Sequence, residues 1–318
     1  MDTGCQGGVS LQKNLLKRIN EHKLLYLMLL PGFICVLLFS YLPLAGLYMA
    51  FVNFTPRLGQ FWSALFESEY VGFQWFKYFF SGNDFYIVMR NTLVTSVLTL
   101  ALGFVMPILL AICLNECGNR VVKRIVQTTS YLPYFVSWVI ASNIIVTLLS
   151  GSGLINQMLL RLGLTQKSIP FLQEGKYFWW IISLSNTWKD SGYNSIMYIA
   201  AIAAIDTEIF EAAQVDGAGR LRQIWNILLP SIKPTVVVLF ILSIGRLLST
   251  GFDQFFLLGN AMNRSYSDVI DTYSFRYGIQ NAMYSYATAV GLFKSVVAFL
   301  LVLTSNTMAK KAGSSHLF

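Results

Sequence analysis

The chain has 318 residues, of which 55% are hydrophobic, 15% aromatic and only 12% charged. A water-soluble domain is about a quarter charged, so this composition argues against an ordinary soluble enzyme and points to a protein solvated mainly by lipid. The net charge of +8 does not indicate nucleic acid, because the basic residues are scattered beside apolar segments and form no stripe.

A hydrocarbon core about 30 Å thick is crossed by about 20 apolar residues of helix. Six segments qualify: 24–51, 88–113, 125–150, 177–205, 234–258 and 284–308. The first is too long for the apolar core of a cleavable leader and lacks a small-residue cleavage site, so it reads as a retained span. Helix is the expected conformation throughout, since an open sheet would leave backbone groups unpaired in lipid. The predicted fold class is therefore all-α, a polytopic membrane protein with six transmembrane helices. Pro31, Pro43, Pro107 and Pro133 fall inside spans and predict kinks. Cys5, Cys35, Cys113 and Cys117 have no metal-ligand spacing with histidine and read as packing residues or incidental thiols. No metal site is expected.

Basic residues set the orientation. Lys13, Lys17, Arg18 and Lys23 precede the first span, Arg120, Lys123 and Arg124 follow the second, Arg220, Arg222 and Lys233 lie in the 206–233 loop, and the tail carries Lys310 and Lys311. The longer loops on the other side carry fewer. The positive-inside tendency then puts both termini and the 206–233 loop in the cytoplasm. The expected organisation is an amphipathic cytoplasmic segment at 1–23, a membrane domain at 24–308 and a cytoplasmic tail at 309–318. The 52–87 loop holds Phe61, Trp62, Phe66, Trp75, Phe76, Tyr78, Phe79 and Phe80, which predicts a packed, membrane-lying piece.

The 206–230 stretch is a polar island in this apolar chain. Asp206 can cap a helix whose first turn contains Glu208. Gly217 can end that helix with a positive φ. A second helix follows, with Leu221, Ile224, Trp225 and Leu228 spaced as one buried face. Pro230 is expected to end it, and Pro234 to begin the next span.

Glu211-Ala212-Ala213, then Gly217, then Ile227-x-Leu229-Pro230 resembles the cytoplasmic signature loop of permease subunits of binding-protein-dependent ABC importers. Asn14 to Ile19, Leu25 to Gly32, Asn91-Thr92-Leu93 and Tyr131 to Trp138 resemble the branch that takes up oligosaccharides and polysaccharide fragments. The resemblance runs over nearly the whole chain. It implies the type I importer permease fold, with the first island helix as a coupling helix docked on a separate ATPase. Glu211, Ala212, Ala213, Asp216, Gly217, Ile227, Leu229 and Pro230 are the coupling positions it implies. It further implies a second homologous permease, two ATP-binding cassette subunits that use ATP and Mg, and an extracellular solute-binding protein. This chain itself has no phosphate-cradling G-x-x-x-x-G-K-[ST] stretch and no catalytic cluster, so neither catalysis nor a cofactor of its own is expected.

Ionisable and polar groups inside spans are candidates for a substrate pathway. The fourth predicted span carries Asn186, Lys189, Asp190, Tyr193 and Asn194; the fifth Ser243, Arg246, Thr250, Asp253 and Gln254; the sixth Thr288 and Lys294. Two readings of them stand: they line a path for a sugar, or they satisfy one another between helices. The excess of Lys189, Arg246 and Lys294 over Asp190 and Asp253 suits an acidic, uronate-containing oligosaccharide. An ion-coupled secondary carrier would also explain intramembrane charges, although not the signature loop. A non-transporting scaffold would leave the polar faces unexplained.

Overall fold

The computed structural model of the chain describes residues 22–249 and 251–311. The amphipathic segment expected at 1–23 lies almost wholly outside the described residues, as do Thr250 and the tail beyond Lys311. Among the described residues the regular structure is helical, apart from one isolated antiparallel bridge between Val52 and Tyr70. Contacts divide the chain into two compact units, 1–72 and 73–318, inside the stretch expected as one membrane domain.

The first unit contains α1 (Lys23–Phe51), a 29-residue helix that passes through a π turn at Leu37–Tyr41 into a 3-10 stretch at Leu42–Phe51. Pro43 lacks an N–H and its ring crowds the carbonyl four residues back; the widened turn just before it makes room. Nearly all the apolar side chains of α1 are exposed, as a lipid-facing surface requires. The chain then folds back through α2 (Phe61–Glu67). Val52, Ala64 and Leu65 are buried, Asn53 N–H donates to the Glu69 carbonyl at 2.9 Å, and Phe61 meets Phe54 and Trp62 edge-on. This half of the aromatic loop is packed, as expected from its composition.

The second unit runs α3 (Gln74–Ser81), α4 (Asn83–Glu116), α5 (Arg120–Tyr131), α6 (Trp138–Leu149), α7 (Leu154–Arg161), α8 (Gly175–Ala203), α9 (Thr207–Val215), α10 (Arg220–Gly245), α11 (Asp253–Leu258), α12 (Arg264–Ser267), α13 (Ile270–Phe275) and α14 (Tyr284–Lys311). By length and apolarity α1, α4, Trp138–Arg161, α10 and α14 could each cross a membrane. The sixth expected span, α8, has 29 residues and at 1.5 Å per residue is roughly 43 Å long. Its four serines, two asparagines and Thr187, with Lys189 and Asp190, make it less apolar than the other five.

Two spans differ from expectation. The segment expected at 125–150 is two helices, α5 and α6, separated by a 3-10 turn at Leu132–Phe135. Pro133 cannot donate into a helix, Val136 is extended, and the Ser137 Oγ accepts the Ile140 N–H at 3.4 Å to start α6 afresh. The segment expected at 234–258 ends at Gly245 and begins at Arg220, because α10 runs unbroken through both Pro230 and Pro234. A π turn at Ile224–Leu228 opens the helix where the Pro230 ring would press on the preceding turn. Pro107, by contrast, interrupts nothing within α4.

Lipid tails are as apolar as leucine, so helices in a membrane associate through close packing and hydrogen bonds more than through the hydrophobic effect. The α4–α8 interface, the most extensive in this unit, is built accordingly. Ala111, Ser183 and Ser195 are buried, and the Thr99 hydroxyl donates to Ser183 Oγ at 3.2 Å. Asn91 and Thr92 hold the start of α4 to the far end of the unit: Asn91 Nδ2 donates to the Ser265 and Asp268 carbonyls at 3.1 and 3.0 Å, and Thr92 Oγ1 accepts the Ile270 N–H at 3.1 Å. The second half of the aromatic loop packs there too, with Phe79 against Tyr273, Tyr286 and Phe293. The Tyr273 and Tyr286 hydroxyls lie 2.7 Å apart, and burial, reinforced by that bond, pushes the Tyr273 hydroxyl well above the usual tyrosine range.

Candidate functional site

The island forms a rigid corner. The Asp206 carboxylate accepts the Glu208 N–H at 3.0 Å and starts α9. At the other end Gly217 takes φ +76°. The Ala218 N–H reaches the Ala213 carbonyl at 2.8 Å and the Gly217 N–H reaches Gln214 at 3.0 Å, the paired bonds that close a helix on a left-handed residue. Glu211, Ala212, Asp216 and Gly217 are exposed and Ala213 partly so; a Cβ on Gly217 would meet nothing within 4 Å. Together they form an open surface on a fixed backbone.

The second helix differs from its expected pattern. Leu228 is buried and Ile224 partly so, but Leu221 and Trp225 are 73% and 68% exposed. The π turn adds a residue to one turn and rotates the face that follows. Ile227 and Leu229 are half-buried and Pro230 is exposed. The corner is held instead by Gln223, which the sequence reading passed over: it is buried, and its Nε2 donates to the Ala218 carbonyl at 2.8 Å. Leu228 and Ile232 of α10 then pack with Ala111, Tyr198 and Ile202 in an apolar layer.

Beyond that layer lies a cavity of about 520 Å³. Along α8 the residues that line it fall between that layer and a second apolar one, which contains Phe178, Ile182 and Phe255. Of the predicted pathway residues, Asn186, Asp190 and Asn194 of α8, Ser243 of α10, Arg246 just after α10 and Gln254 of α11 line this cavity together. Ser96 and Thr99 of α4 and Trp138 of α6 line it as well, and none of these three was singled out from the sequence. Ser96, on the wall of the cavity, is 5% exposed.

The remaining predicted residues lie elsewhere. Lys189 turns from the cavity and donates to the Tyr134 and Pro133 carbonyls at 2.6 and 3.3 Å. Tyr193 stacks on Tyr134 with ring centres 3.9 Å apart. Asp253 is exposed in the first turn of α11. Lys294 pairs with Asp271, and the Thr288 hydroxyl bonds back to Tyr284. The cationic excess counted along the sequence is thus absent from the cavity lining, whose charged groups are Arg246 and Asp190. Helical periodicity places residues on a face but does not say which neighbour that face meets.

Residues 103–310 match the family described as binding-protein-dependent transport system inner membrane component. Among curated relatives, protein LplB of Bacillus subtilis (strain 168) is 44% identical over 301 residues, covering 94% of this chain and 92% of its own. The polygalacturonan/rhamnogalacturonan transport system permease protein YteP of the same organism is 42% identical over 308 residues, covering 96% and 94%. Among solved structures, a chain of a bacterial alginate ABC transporter, in complex with an alginate pentasaccharide-bound periplasmic protein, superposes with a TM-score of 0.86 at 41% identity, covering 95% of this chain and 99% of that one. A chain of a bacterial ABC transporter involved in import of the acidic polysaccharide alginate gives a TM-score of 0.84 at 42% identity, covering 94% and 99%. With an open, rigid corner at one end of α10 and a polar cavity at the other, the chain belongs to the family of inner membrane components of binding-protein-dependent transport systems.

Proposed function

We propose that the chain is one of two homologous permease subunits of an ABC importer that carries oligosaccharides, acidic ones first among them, through the cavity into the cell. Six spans, with α8 as the fourth, put both termini and the 206–230 corner in the cytoplasm. One of two ATP-binding cassette subunits docks on Glu211, Ala212, Ala213, Asp216 and Gly217, the other docks on the second permease, and an extracellular solute-binding protein delivers the substrate. Closure of the ATPases on ATP rocks the helices between outward- and inward-facing states.

The observation that carries this reading is the cavity itself. Amides from Asn186, Asn194 and Gln254, hydroxyls from Ser96, Thr99 and Ser243, one guanidinium and one carboxylate converge on a space that falls, along α8, between two apolar layers. Such a mixture hydrogen-bonds sugar hydroxyls in the ring plane, and Arg246 offers a paired donor to a uronate carboxylate. Polysaccharide and alginate transport by relatives more than 40% identical favours the same substrate class. The corner joins the cavity through α10, which runs from Arg220, three residues after Gly217, to Gly245 beside the cavity, so a push at the corner is carried to Ser243 along that helix.

Uptake by the reconstituted complex, with uronic and neutral oligosaccharides of equal length as competitors, tests the substrate class. Stronger competition by the uronic series is expected. Equal competition would remove the acidic preference, and no competition by either would remove the saccharide.

A further inference from the structure

Trp138 lines the cavity without being one of its polar groups, and its position is fixed in an uncommon way. It opens α6 directly after the break at Leu132–Phe135, where a chain lacking regular hydrogen bonds would leave the ring loosely placed. One turn of α8 grips that break. Lys189 is 7% exposed, and its ammonium donates to the Tyr134 and Pro133 carbonyls at 2.6 and 3.3 Å. The same ammonium lies 5.4 and 5.7 Å from the ring centres of Tyr134 and Trp138. Gly192 sits so close to the Ser130 carbonyl that a Cβ would come within 1.9 Å of its oxygen, and Tyr193 lies flat on Tyr134 with 5° between the rings. A buried ammonium is costly unless it is given acceptors. Carbonyls of the turn that ends α5 supply them, at the end of a helix where positive charge is favoured, and the two rings add cation–π attraction.

The other aromatic groups in the lining are less available. Phe104 is engaged edge-on by Tyr198 and Phe240, with centres at 6.3 and 5.1 Å, and Tyr198 is 3% exposed. Trp138 is only half-buried. Its indole combines a broad apolar face with an N–H donor, which matches the C–H face and flanking hydroxyls of a sugar ring.

We propose that Trp138 contacts the saccharide in the cavity, and that Lys189 is its positioning residue, holding the indole in place by tying the broken segment to α8. The proposal rests on reading the cavity as an oligosaccharide path. It assigns Lys189 a role that involves no direct contact with substrate.

The test uses the complete complex in proteoliposomes and in detergent. With 5-fluorotryptophan incorporated, the Trp138 resonance is identified by its loss in Trp138→Phe. Addition of a transported oligosaccharide should move that resonance in the otherwise unaltered protein. Trp138→Leu should raise the apparent KM for uptake about tenfold, the size of effect a true contact gives, with the maximal rate within about twofold. Lys189→Met should raise KM in the same direction, Lys189→Arg should restore part of it, and Trp138→Leu with Lys189→Met should be no worse than the more affected single variant. An unmoved resonance under saturating oligosaccharide overturns the contact, even if Trp138→Leu fails to assemble. Additive KM effects overturn the positioning role. If the unaltered complex takes up no oligosaccharide, it is the underlying functional reading that fails.

Discussion

Gly192→Ala places a single methyl group where the structure leaves no room. The added carbon would lie 1.9 Å from the Ser130 oxygen and 2.4 Å from its carbonyl carbon, against an ordinary contact that begins at 3.4 Å. Both partners are backbone, so no side chain can swing aside and α8 must withdraw from the end of α5 by about 1.5 Å, 3.4 less 1.9. Overpacking of this kind costs about 1–3 kcal/mol. The withdrawal also stretches the Lys189 bond to Tyr134, an interaction worth about 1.5–3 kcal/mol for a charged donor, and opens the Tyr134–Tyr193 stack, worth about 0.5–1.5 kcal/mol. A total loss of about 3–7.5 kcal/mol is a large part of the 5–15 kcal/mol that typically holds a protein together. Thermal unfolding of the complex in detergent, followed by size-exclusion fluorescence, should show a fall in Tm of more than about 5 °C or loss of the assembled peak. Gly291→Ala is the control: nothing lies within 4 Å of a Cβ there, so Tm should stay constant or rise, alanine being the better helix former. An unchanged Tm for Gly192→Ala would refute the close approach and with it the clasp on the broken segment.

Gly217→Ala meets no atom within 4 Å, so its cost is the left-handed backbone alone, about 1–2 kcal/mol. It should weaken ATP-dependent uptake while Gly217→Asn preserves most of it, both measured in proteoliposomes at equal subunit content. Gln223→Leu leaves the buried bond to the Ala218 carbonyl unmade, at about 1–3 kcal/mol. Hydrogen exchange across 213–224 should accelerate while α4 and α8 remain protected. Arg246→Met should raise the KM for uronic oligosaccharides more than for neutral ones, as competition assays would show; an equal rise for both would mean that Arg246 does not meet a carboxylate.

The fold was largely legible where one signal dominated. The stretches 177–205 and 284–308 were found within a few residues of their observed limits because their boundaries coincide with runs of apolar residues. The helix–glycine–helix corner followed from Asp206 and Gly217, whose capping and left-handed conformation are local properties. Hydropathy failed where local chemistry cut across it. The residues around Pro133 are apolar and aromatic, yet the chain breaks there because Pro133 cannot continue the helix and Ser137 starts a new one. Pro230 misled in the opposite direction, since the π turn at Ile224–Leu228 absorbs it and the spacing of apolar residues carries no sign of such a turn. The cavity was legible as a polar face on α8, but Lys189 and Lys294 could not be assigned away from it, because their partners, the Tyr134 carbonyl and Asp271, lie far off in sequence. Trp138 ends a stretch that carries the family resemblance, but a tryptophan in an apolar run looks like packing until a cavity is seen beside it.

In the mechanism we propose, ATP hydrolysis by a docked partner reaches the cavity through the Glu211–Gly217 surface. Glu211 is exposed, so Glu211→Ala should leave the subunit inserted and its fold intact. The decisive measurement is ATP-dependent oligosaccharide uptake by the reconstituted complex carrying this one substitution. Uptake reduced at least about tenfold, with normal insertion, is the predicted result; uptake equal to that of the unaltered complex would contradict the account.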